Sequence, residues 1–190
     1  NHKMIREFAK EQNIKYFYDI KEGICHQVLP EKGHVLPGYL ILGSDSHTTT
    51  SGAFGAFSAG IGRSEAASIM ATGKLWLKVP ESMKITVNGK LEKGVYAKDM
   101  ILHIIGDIKA DGANYMSVEF YGDTIENLSI AGRMVLSNMS AEMGAKAGIV
   151  QCDKKTEGWL KPRVSEEIRP VKPIDNEYEV TLEYNTEDIT

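Results

Sequence analysis

The chain has 190 residues, of which 42% are hydrophobic and 25% are charged, and its formal net charge is −4. This is the composition of an ordinary globular protein, and the scattered lysines form no basic stretch that would favour a nucleic-acid partner. No apolar run in the sequence is long enough to span a bilayer, so no membrane partner is expected. The two cysteines, Cys25 and Cys152, lack metal-ligand spacing. They favour a reducing compartment, and we expect the cytoplasm.

The first third of the chain predicts a helix followed by short apolar segments. A helix is expected from Met4 to Gln12 and a β-rich run over Ile14–Tyr18. Glycine and proline then bracket the apolar segment Gly23–Pro30, which holds His26. Tyr39–Leu42 is long enough for one buried strand, and five polar residues follow at positions 44–48. The glycines at positions 52, 55, 60 and 62 would let the backbone pass close to another group.

The rest of the chain alternates between helices and strands, which predicts a layered α/β domain. The next helix is expected to begin at Ser64, with Ser64 as its cap and Glu65 in its first turn, and to stop at Gly73. Two strands and a helix should follow, namely Met83–Val87 with a hairpin turn at Asn88-Gly89, the helix Ala97–Ala110 and the strand Ser117–Tyr121. The last predicted elements are a long helix from Asp123 or Thr124 to about Lys146 that Gly148 ends, the strand Gly148–Val150, and a helix capped by Asp153 that runs to Pro162.

Both ends of the sequence predict that the chain is part of a longer protein. Asn1 is not a start residue, and a helical pattern begins directly after it. The tail from Glu177 reads as a strand with nothing to pair with. We expect residues 1–152 to form an α/β core. Residues 153–190 should form a peripheral helix and a linker or strand excursion that leads to a missing C-terminal part.

Polar groups interrupt an apolar context in three places: at His26, at Asp45-Ser46-His47 and at Glu119. Taken singly, each has an ordinary explanation, namely a hydrogen-bonded core histidine, a turn with a helix cap, and a solvated strand face. Together they supply two imidazoles, two carboxylates and a hydroxyl. Such a set suits acid–base chemistry on a polar substrate, or the support of a metal site. The spacing of the residues does not choose between the two.

Four segments in this order resemble the aconitase superfamily: GICHQVLPEKG, GSDSHTTTSGAFGAFSAGIG, VEFYG and GRMVLSNMSAEMGAKAGIV. The resemblance extends to about Asp153 and points to the branch of the 3-isopropylmalate dehydratase large subunits, followed by the homoaconitases. It implies an α/β fold with the three-layer α/β/α domain of that family, here as a partial chain. It also implies a [4Fe–4S] hydro-lyase that isomerises a 2-hydroxy acid by dehydration and rehydration.

The resemblance also implies roles for individual residues. The family's active-site histidine matches His26, its DSH triplet matches positions 45–47, and the glutamate of its VE segment matches Glu119. The implied catalytic residues are therefore His26, Asp45, His47 and Glu119, and the implied substrate-binding residues are Ser46 and Asn114, with Asn138 in the same pocket.

Several parts of the family's active site are absent from this sequence. The cysteines of the GSCTN-like and CxGC-like segments do not occur, so we assign no metal ligand and expect no cluster bound to this chain. The upstream DH motif and the arginines that hold substrate carboxylates are missing too. The serine base belongs to a small swivel-domain subunit, which is the expected partner beside a 2-hydroxy di- or tricarboxylate substrate. The chain alone should be inactive.

Alternatives remain open at this point. Within the family, homoaconitase, methylmalate dehydratase and aconitase are alternatives to the isopropylmalate enzyme. From another class, His26, Asp45, His47 and Glu119 could form a mononuclear site such as that of a zinc hydrolase, although HExxH-type spacing is missing. A non-catalytic scaffold, in which these residues only cap and turn, is the third hypothesis.

Overall fold

The computed structural model describes residues 1–175 and 177–189. Its helices are α1 (His2–Glu11), α2 (Cys25–Glu31), α3 (Arg63–Thr72), α4 (Ala97–Ile108), α5 (Asp123–Asn127), α6 (Ile130–Met139) and α7 (Lys154–Leu160). Its strands are β1 (Leu40–Gly43), β2 (Phe57–Gly60), β3 (Ser82–Asn88), β4 (Ser117–Tyr121), β5 (Ala147–Val150) and β6 (Val180–Asn185). Three 3₁₀ segments span Ser46–Phe54, Ser140–Met143 and Thr186–Asp188. None of the helices in these ranges is long and apolar enough to cross a bilayer.

The strands form two sheets, and every pairing in them is parallel. One sheet pairs β1 with β2, with Gly43 opposite Gly60 at the carboxyl ends. The other has the order β5-β4-β3-β6, with Ile85 of β3 between Phe120 of β4 and Leu182 of β6. Helices connect most of these strands, as parallel pairing requires. The predicted α/β class is confirmed.

The larger core lies on one face of the four-stranded sheet. Along β4, Val118 and Phe120 are buried, whereas Glu119 and Tyr121 point to the opposite face. The buried face packs against the apolar stripe of α4, which the sequence predicted, and against α6; its members include Met83, Ile85, Val87, Met100, Ile101, Ile104 and Leu136. A smaller cluster around Phe54 includes Val35, Leu36 and Leu160.

A buried arginine joins α6 to the start of α7. Arg133 is 1% exposed, and its guanidinium donates to both carboxylate oxygens of Asp153, at 2.9 and 2.6 Å. It also donates to Thr156 Oγ1 at 3.0 Å and to the carbonyl of Glu126 at 2.9 Å. Asp153 in turn caps α7 by accepting the N–H of Thr156. A single side chain therefore connects three consecutive helices, α5, α6 and α7.

The glycine-spaced segment does pass close to other backbone. A Cβ at Gly52 would lie 1.9 Å from the carbonyl oxygen of Gly148 in β5. A Cβ at Gly60 would lie 2.9 Å from the carbonyl oxygen of Asp45 and from Cα of Ser46. Such distances are far below van der Waals contact. The glycines therefore let the 3₁₀ segment Ser46–Phe54 lie directly on β5 and next to the end of β2.

Replacing Gly52 with alanine should destabilise the protein by about 1–3 kcal/mol, because the new methyl group must push two packed backbones apart. Gly106→Ala in α4 is the matched control, since a Cβ there meets no atom within 4 Å. This control should stabilise the protein by about 0.5–1 kcal/mol, the helix-propensity difference between alanine and glycine. Thermal unfolding of the two variants measures both effects. Equal unfolding midpoints for the two would contradict the close approach.

Several sequence predictions are wrong in detail. No strand forms over Ile14–Tyr18, where the chain is irregular. Strand β1 is not buried, since Leu40 is 59% exposed. Asn88-Gly89 makes no hairpin, because both neighbours of β3 run parallel to it. The cap of α3 is Gly62, whose N–H is bonded by Glu65, and not Ser64.

The predicted long helix and the unpaired tail are also wrong. The helix is divided because Leu128 and Ser129 adopt extended conformations, and Ser129 then caps α6 by accepting the N–H of Gly132. Gly148 lies inside β5 and does not end a helix. The tail strand β6 pairs with β3 along its full length. The domain boundary after residue 152 stays a prediction.

Candidate functional site

The site begins at the carboxyl end of β1, where Asp45 caps the 3₁₀ segment Ser46–Phe54. Its Oδ1 accepts the N–H of His47 at 2.8 Å, and its carbonyl accepts the hydroxyl of Thr48 at 2.7 Å. Aspartate is favoured in this position because its short side chain bonds the backbone two residues on. Nine residues is long for a 3₁₀ segment, since runs of more than about four residues are uncommon.

His26 reaches the same carboxylate from the first turn of α2. Its Nε2 donates to Asp45 Oδ1 at 2.8 Å, and its side chain is 14% exposed. Cys25 Sγ lies 3.6 Å from the other ring nitrogen, Nδ1. Of the residues that the sequence analysis grouped, His26 and Asp45 therefore lie together in the structure. One carboxylate oxygen orients this imidazole and also fixes the start of the 3₁₀ segment.

His47 lies between a hydroxyl and a second carboxylate. Its Nδ1 is 3.1 Å from Ser46 Oγ, and its Nε2 donates to Glu142 Oε1 at 3.1 Å. Sequence reasoning missed Glu142, which lies in the 3₁₀ segment Ser140–Met143. The available signal was an acidic residue in the small-residue run of GRMVLSNMSAEMGAKAGIV. An imidazole held between a hydroxyl and a carboxylate is oriented for proton transfer, which makes His47 a candidate acid.

A second set of hydrogen bonds holds the 3₁₀ segment against α6. Asn138 Nδ2 donates to Thr50 Oγ1 at 2.9 Å, and that hydroxyl donates to the carbonyl of His47 at 2.6 Å. Thr49 Oγ1 donates to the carbonyl of Asn138 at 3.4 Å. Asn138 therefore supports the backbone of His47 indirectly, through the hydroxyl of Thr50.

The electrostatics favour an ionised Asp45. The backbone N–H of His47 and the imidazole of His26 both donate to this carboxylate, which lowers its pKa below the ordinary value. The deprotonated form is thus part of the folded arrangement. The stabilisation from these bonds is present at neutral pH and is lost as the pH falls through the lowered pKa.

We expect the carboxyl carbon of Asp45 to titrate below the ordinary value of about 3.9 in an NMR titration. His26→Ala should move the midpoint back upward, because it removes one of the two donors. His34→Ala is the control: His34 contacts Tyr16 and Tyr18 and should leave the midpoint unchanged. A midpoint at or above the ordinary value in the unmodified protein would contradict the arrangement.

Glu119 lies apart from the two histidines. Its Oε2 accepts the hydroxyls of Tyr121 at 2.5 Å and Tyr178 at 3.2 Å, and the two hydroxyls are 2.9 Å apart. Gln151 also donates to Tyr121 Oη at 2.9 Å. Burial, then the bond to Glu119, raises the pKa of Tyr121 well above its ordinary value. The structure therefore places Glu119 in a separate polar network on the non-core face of the sheet.

Asn114 is exposed in the loop before β4. Its backbone lies against Gly144, close to the 3₁₀ segment that carries Glu142. In the described part of the chain, no hydrogen bond joins its side chain to either histidine. Its predicted contact with substrate stays a prediction, as do the catalytic roles of His26, Asp45, His47 and Glu119 and the binding role of Ser46.

Two open pockets lie beside the site. One, of about 330 Å³, is lined by Ser46, Thr49, Gly60, Ile61, Gly62, Glu65, Ala141, Gly144, Ala145 and Lys146. The other, of about 290 Å³, includes His26, Thr50, Lys98 and Asn138. The first is within the size range of small-molecule sites, and the second is slightly below it.

The chain's own side chains do not fit a metal centre. Within residues 1–175 and 177–189, no group of three or more His, Cys, Asp or Glu side chains is arranged to hold a metal ion. The mononuclear alternative needed Glu119 beside the two histidines, and Glu119 bonds two tyrosines instead. An iron–sulfur cluster is held by cysteine thiolates, whereas this chain has two cysteines in all. Burial raises the pKa of the Cys152 thiol to about 11, so that it stays protonated.

Comparison with known proteins gives a family match over almost the whole chain. The model of the aconitase family (aconitate hydratase) matches residues 1–189. The 3-isopropylmalate dehydratase large subunit 1 of Methanopyrus kandleri is 52% identical over 190 residues, which is 100% of this chain and 46% of that protein. A probable 3-isopropylmalate dehydratase large subunit of Methanothermobacter thermautotrophicus is 55% identical over 172 residues, 90% of this chain and 41% of its own.

A second kind of relative is equally similar. A probable methanogen homoaconitase large subunit of Methanosarcina mazei is 57% identical over 172 residues, which is 90% of this chain and 43% of that protein. The chain thus spans less than half the length of the curated relatives it matches.

Proposed function

Because this chain belongs to the aconitase family, we propose that it is part of the large subunit of an iron–sulfur hydro-lyase, a 3-isopropylmalate dehydratase of leucine biosynthesis. The observation that carries the proposal is the arrangement at the end of β1, where His26 and His47 are each bonded to a carboxylate. Two oriented imidazoles beside a pocket are positioned side chains of the kind that acid–base catalysis on a polar substrate uses. The chain's parallel sheets and flanking helices would form part of a three-layer α/β/α domain.

Dehydration of a 2-hydroxy acid removes hydroxide from one carbon and a proton from its neighbour. His47 is the acid in our proposal: Glu142 holds the imidazole through Nε2, and Nδ1 gives its proton to the departing hydroxide. Water is then the leaving group. Ser46 Oγ, which lies 3.1 Å from Nδ1, would turn to the substrate when this N–H donates to the substrate's hydroxyl oxygen.

Asp45 and His26 have an orienting role in this proposal. The ionised Asp45 keeps the proton of His26 on Nε2, and it holds the backbone N–H of His47 in place. The base that takes the carbon-bound proton comes from another part of the assembly, the small swivel-domain subunit. Relatives named as large subunits support such a partner.

The cluster requires ligands beyond this chain. When bound in the full-length enzyme, a [4Fe–4S] cluster would supply Lewis acidity at the leaving hydroxyl. Its cysteines would come from the part of the large subunit that this chain does not cover, and we propose that the chain alone is inactive. Both cysteines of the chain are free thiols, in keeping with the cytoplasmic location that we propose.

Homoaconitase is the second candidate, because the identity to a probable homoaconitase large subunit, 57%, is as high as that to the dehydratases. The two activities differ in the substrate's side chain and share the hydroxy-acid chemistry that the site supports. Methylmalate and citrate are further substrates of the same type.

The test uses the full-length large subunit that contains this chain, reconstituted anaerobically with iron and sulfide and mixed with its small subunit. The absorbance of the unsaturated intermediate is followed with 3-isopropylmalate, homocitrate, citrate and methylmalate. Turnover of 3-isopropylmalate above the others supports the proposal. Turnover of homocitrate alone moves the assignment to homoaconitase, and turnover of none of them overturns the hydro-lyase function.

A further inference from the structure

The pocket of about 330 Å³ beside Ser46 lies where the carboxyl ends of β1 and β2 meet. Gly43 and Gly60 are in register as the last residues of these parallel strands. The Asp45–His47 turn and the loop from Gly60 to Gly62 therefore leave the sheet side by side. Ligands of α/β proteins gather at this edge of a parallel sheet. The pocket shares Ser46 with the proposed acid–base site, so that one bound molecule can touch both.

One cation lines this pocket. Lys146, at the residue before β5, places its Nζ 2.9 Å from the carbonyl oxygen of Gly60 and 5.7 Å from the ring centre of Tyr115. The one carboxylate in the pocket wall, that of Glu65, accepts the N–H of Gly62 at 2.5 Å. In the described part of the chain, no carboxylate forms an ion pair with Lys146.

The charge around the site gives this lysine a role with an anionic ligand. Asp45 and Glu142 are engaged with the two imidazoles next to the pocket. Lys146 is a cation in the pocket wall that can meet a carboxylate of a dianionic hydroxy acid. An ammonium group has three donors, and the carbonyl of Gly60 takes one of those on Lys146. The other donors are free to bind an anion.

We propose that Lys146 binds one carboxylate of the hydroxy-acid substrate while Ser46 and His47 face its hydroxyl. This inference rests on the proposed hydro-lyase function and adds to it a cationic contact from the large subunit. It assigns Lys146 as a residue that determines substrate affinity, because its charge neutralises the ligand and takes no part in proton transfer.

The experiment uses the reconstituted full-length large subunit with its small subunit. The parameters kcat and KM for 3-isopropylmalate, or for whichever hydroxy acid the enzyme turns over, are compared for the unmodified protein, Lys146→Met and Lys146→Arg. Inhibition by L-malate, a plain 2-hydroxy dicarboxylate, is measured in parallel. Lys155→Met is the matched control: its Nζ also donates to backbone carbonyls, those of Glu126 and Leu128, outside this pocket.

Lys146→Met should raise KM and the inhibition constant of L-malate about 10- to 100-fold with kcat nearly unchanged, since it removes a charge-assisted hydrogen bond. Lys146→Arg should keep both constants within a few-fold, and Lys155→Met should change neither. If the methionine variant does not fold, Lys146→Gln is held to the same prediction.

A purely structural role would lower stability and leave KM unchanged, or would make arginine as harmful as methionine. Either result overturns the inference while wild-type turnover keeps the proposed function. If the wild type turns over no hydroxy acid, both the inference about Lys146 and the proposed hydro-lyase function are overturned.

Discussion

Replacing Arg133 with methionine should lower the free energy of unfolding by about 3 kcal/mol or more. The change leaves Asp153, the hydroxyl of Thr156 and the carbonyl of Glu126 without their common donor. Removing one partner of a buried ion pair costs more than the pair contributes, because the remaining charge stays partly desolvated. At this chain length the loss corresponds to a drop of about 6–12 °C in the unfolding midpoint.

Arg169→Met is the matched control for this prediction. The side chain of Arg169 is 81% exposed and forms an ion pair with Glu167, two residues away. Exposed pairs contribute little, so the control should stay within about 0.5 kcal/mol of the unmodified protein. Similar unfolding midpoints for the two variants, measured by calorimetry, would show that Arg133 does not hold α5, α6 and α7 together.

The same ion pair makes the fold acid-sensitive in a defined range. Burial alone would raise the pKa of Asp153, but hydrogen bonds from Arg133 and Thr156 outweigh it and lower the pKa to about 2. Because the folded pKa is lower than the unfolded one, this stabilisation is complete above about pH 4 and is lost as the pH falls towards 2. Discounted for partial exposure, it amounts to about 1–2 kcal/mol. In Arg133→Met, this part of the acid dependence should become smaller, because only the hydrogen bonds from Thr156 would still lower the pKa of Asp153.

His47→Ala should reduce kcat of the assembled full-length enzyme by about 10²- to 10⁴-fold, the usual contribution of a positioned acid. The variant loses the proton donor between Ser46 and Glu142 and keeps the backbone N–H that Asp45 binds. The 3₁₀ segment should therefore remain folded. Steady-state kinetics measure the loss, and the visible spectrum of the reconstituted cluster reports that the assembly is intact.

His103→Ala is the control for the activity measurement. His103 lies in α4 and packs edge-on against Tyr184, on a different part of the molecule. Its removal should leave kcat within about twofold, as expected for a residue outside the site. Full activity in His47→Ala would mean that the DSH triplet only forms a turn and caps the 3₁₀ segment. That is the scaffold hypothesis.

Where local signals agree with burial, the sequence predicts the structure well. The alternation in Met83–Val87 and Ser117–Tyr121 and the apolar stripe of α4 predicted elements that the structure contains. Asp153 caps α7 as expected, because an aspartate cap needs only its own next three residues. The wrong predictions depend on the neighbours of a segment: which strand lies beside β3, and whether Ser129 interrupts a helix.

At the candidate site, too, the predictions that failed depend on residues from other segments. His26 and Asp45 could be brought together through the resemblance of two motifs, and the structure joins them by one hydrogen bond. Glu142 was missed because its partner, His47, lies 95 residues away in the sequence. Glu119 was grouped with the histidines, but the pleat of β4 turns it towards Tyr121 and Tyr178. The contacts of Glu119 with Tyr178 and of Glu142 with His47 join distant segments, and no spacing rule along one segment reveals them.

The pairing of β6 with β3 has a consequence for synthesis on the ribosome. Met83 of β3 pairs with Val180 of β6, so the outer strand of the four-stranded sheet emerges long after the strand that it covers. A nascent chain that has not reached residue 180 presents the unpaired edge of β3, which is a template for pairing with other chains. Contacts between residues so distant in sequence also form slowly. The edge strand on this side of the sheet is therefore β3 until residues 180–185 have been synthesised, and β6 afterwards.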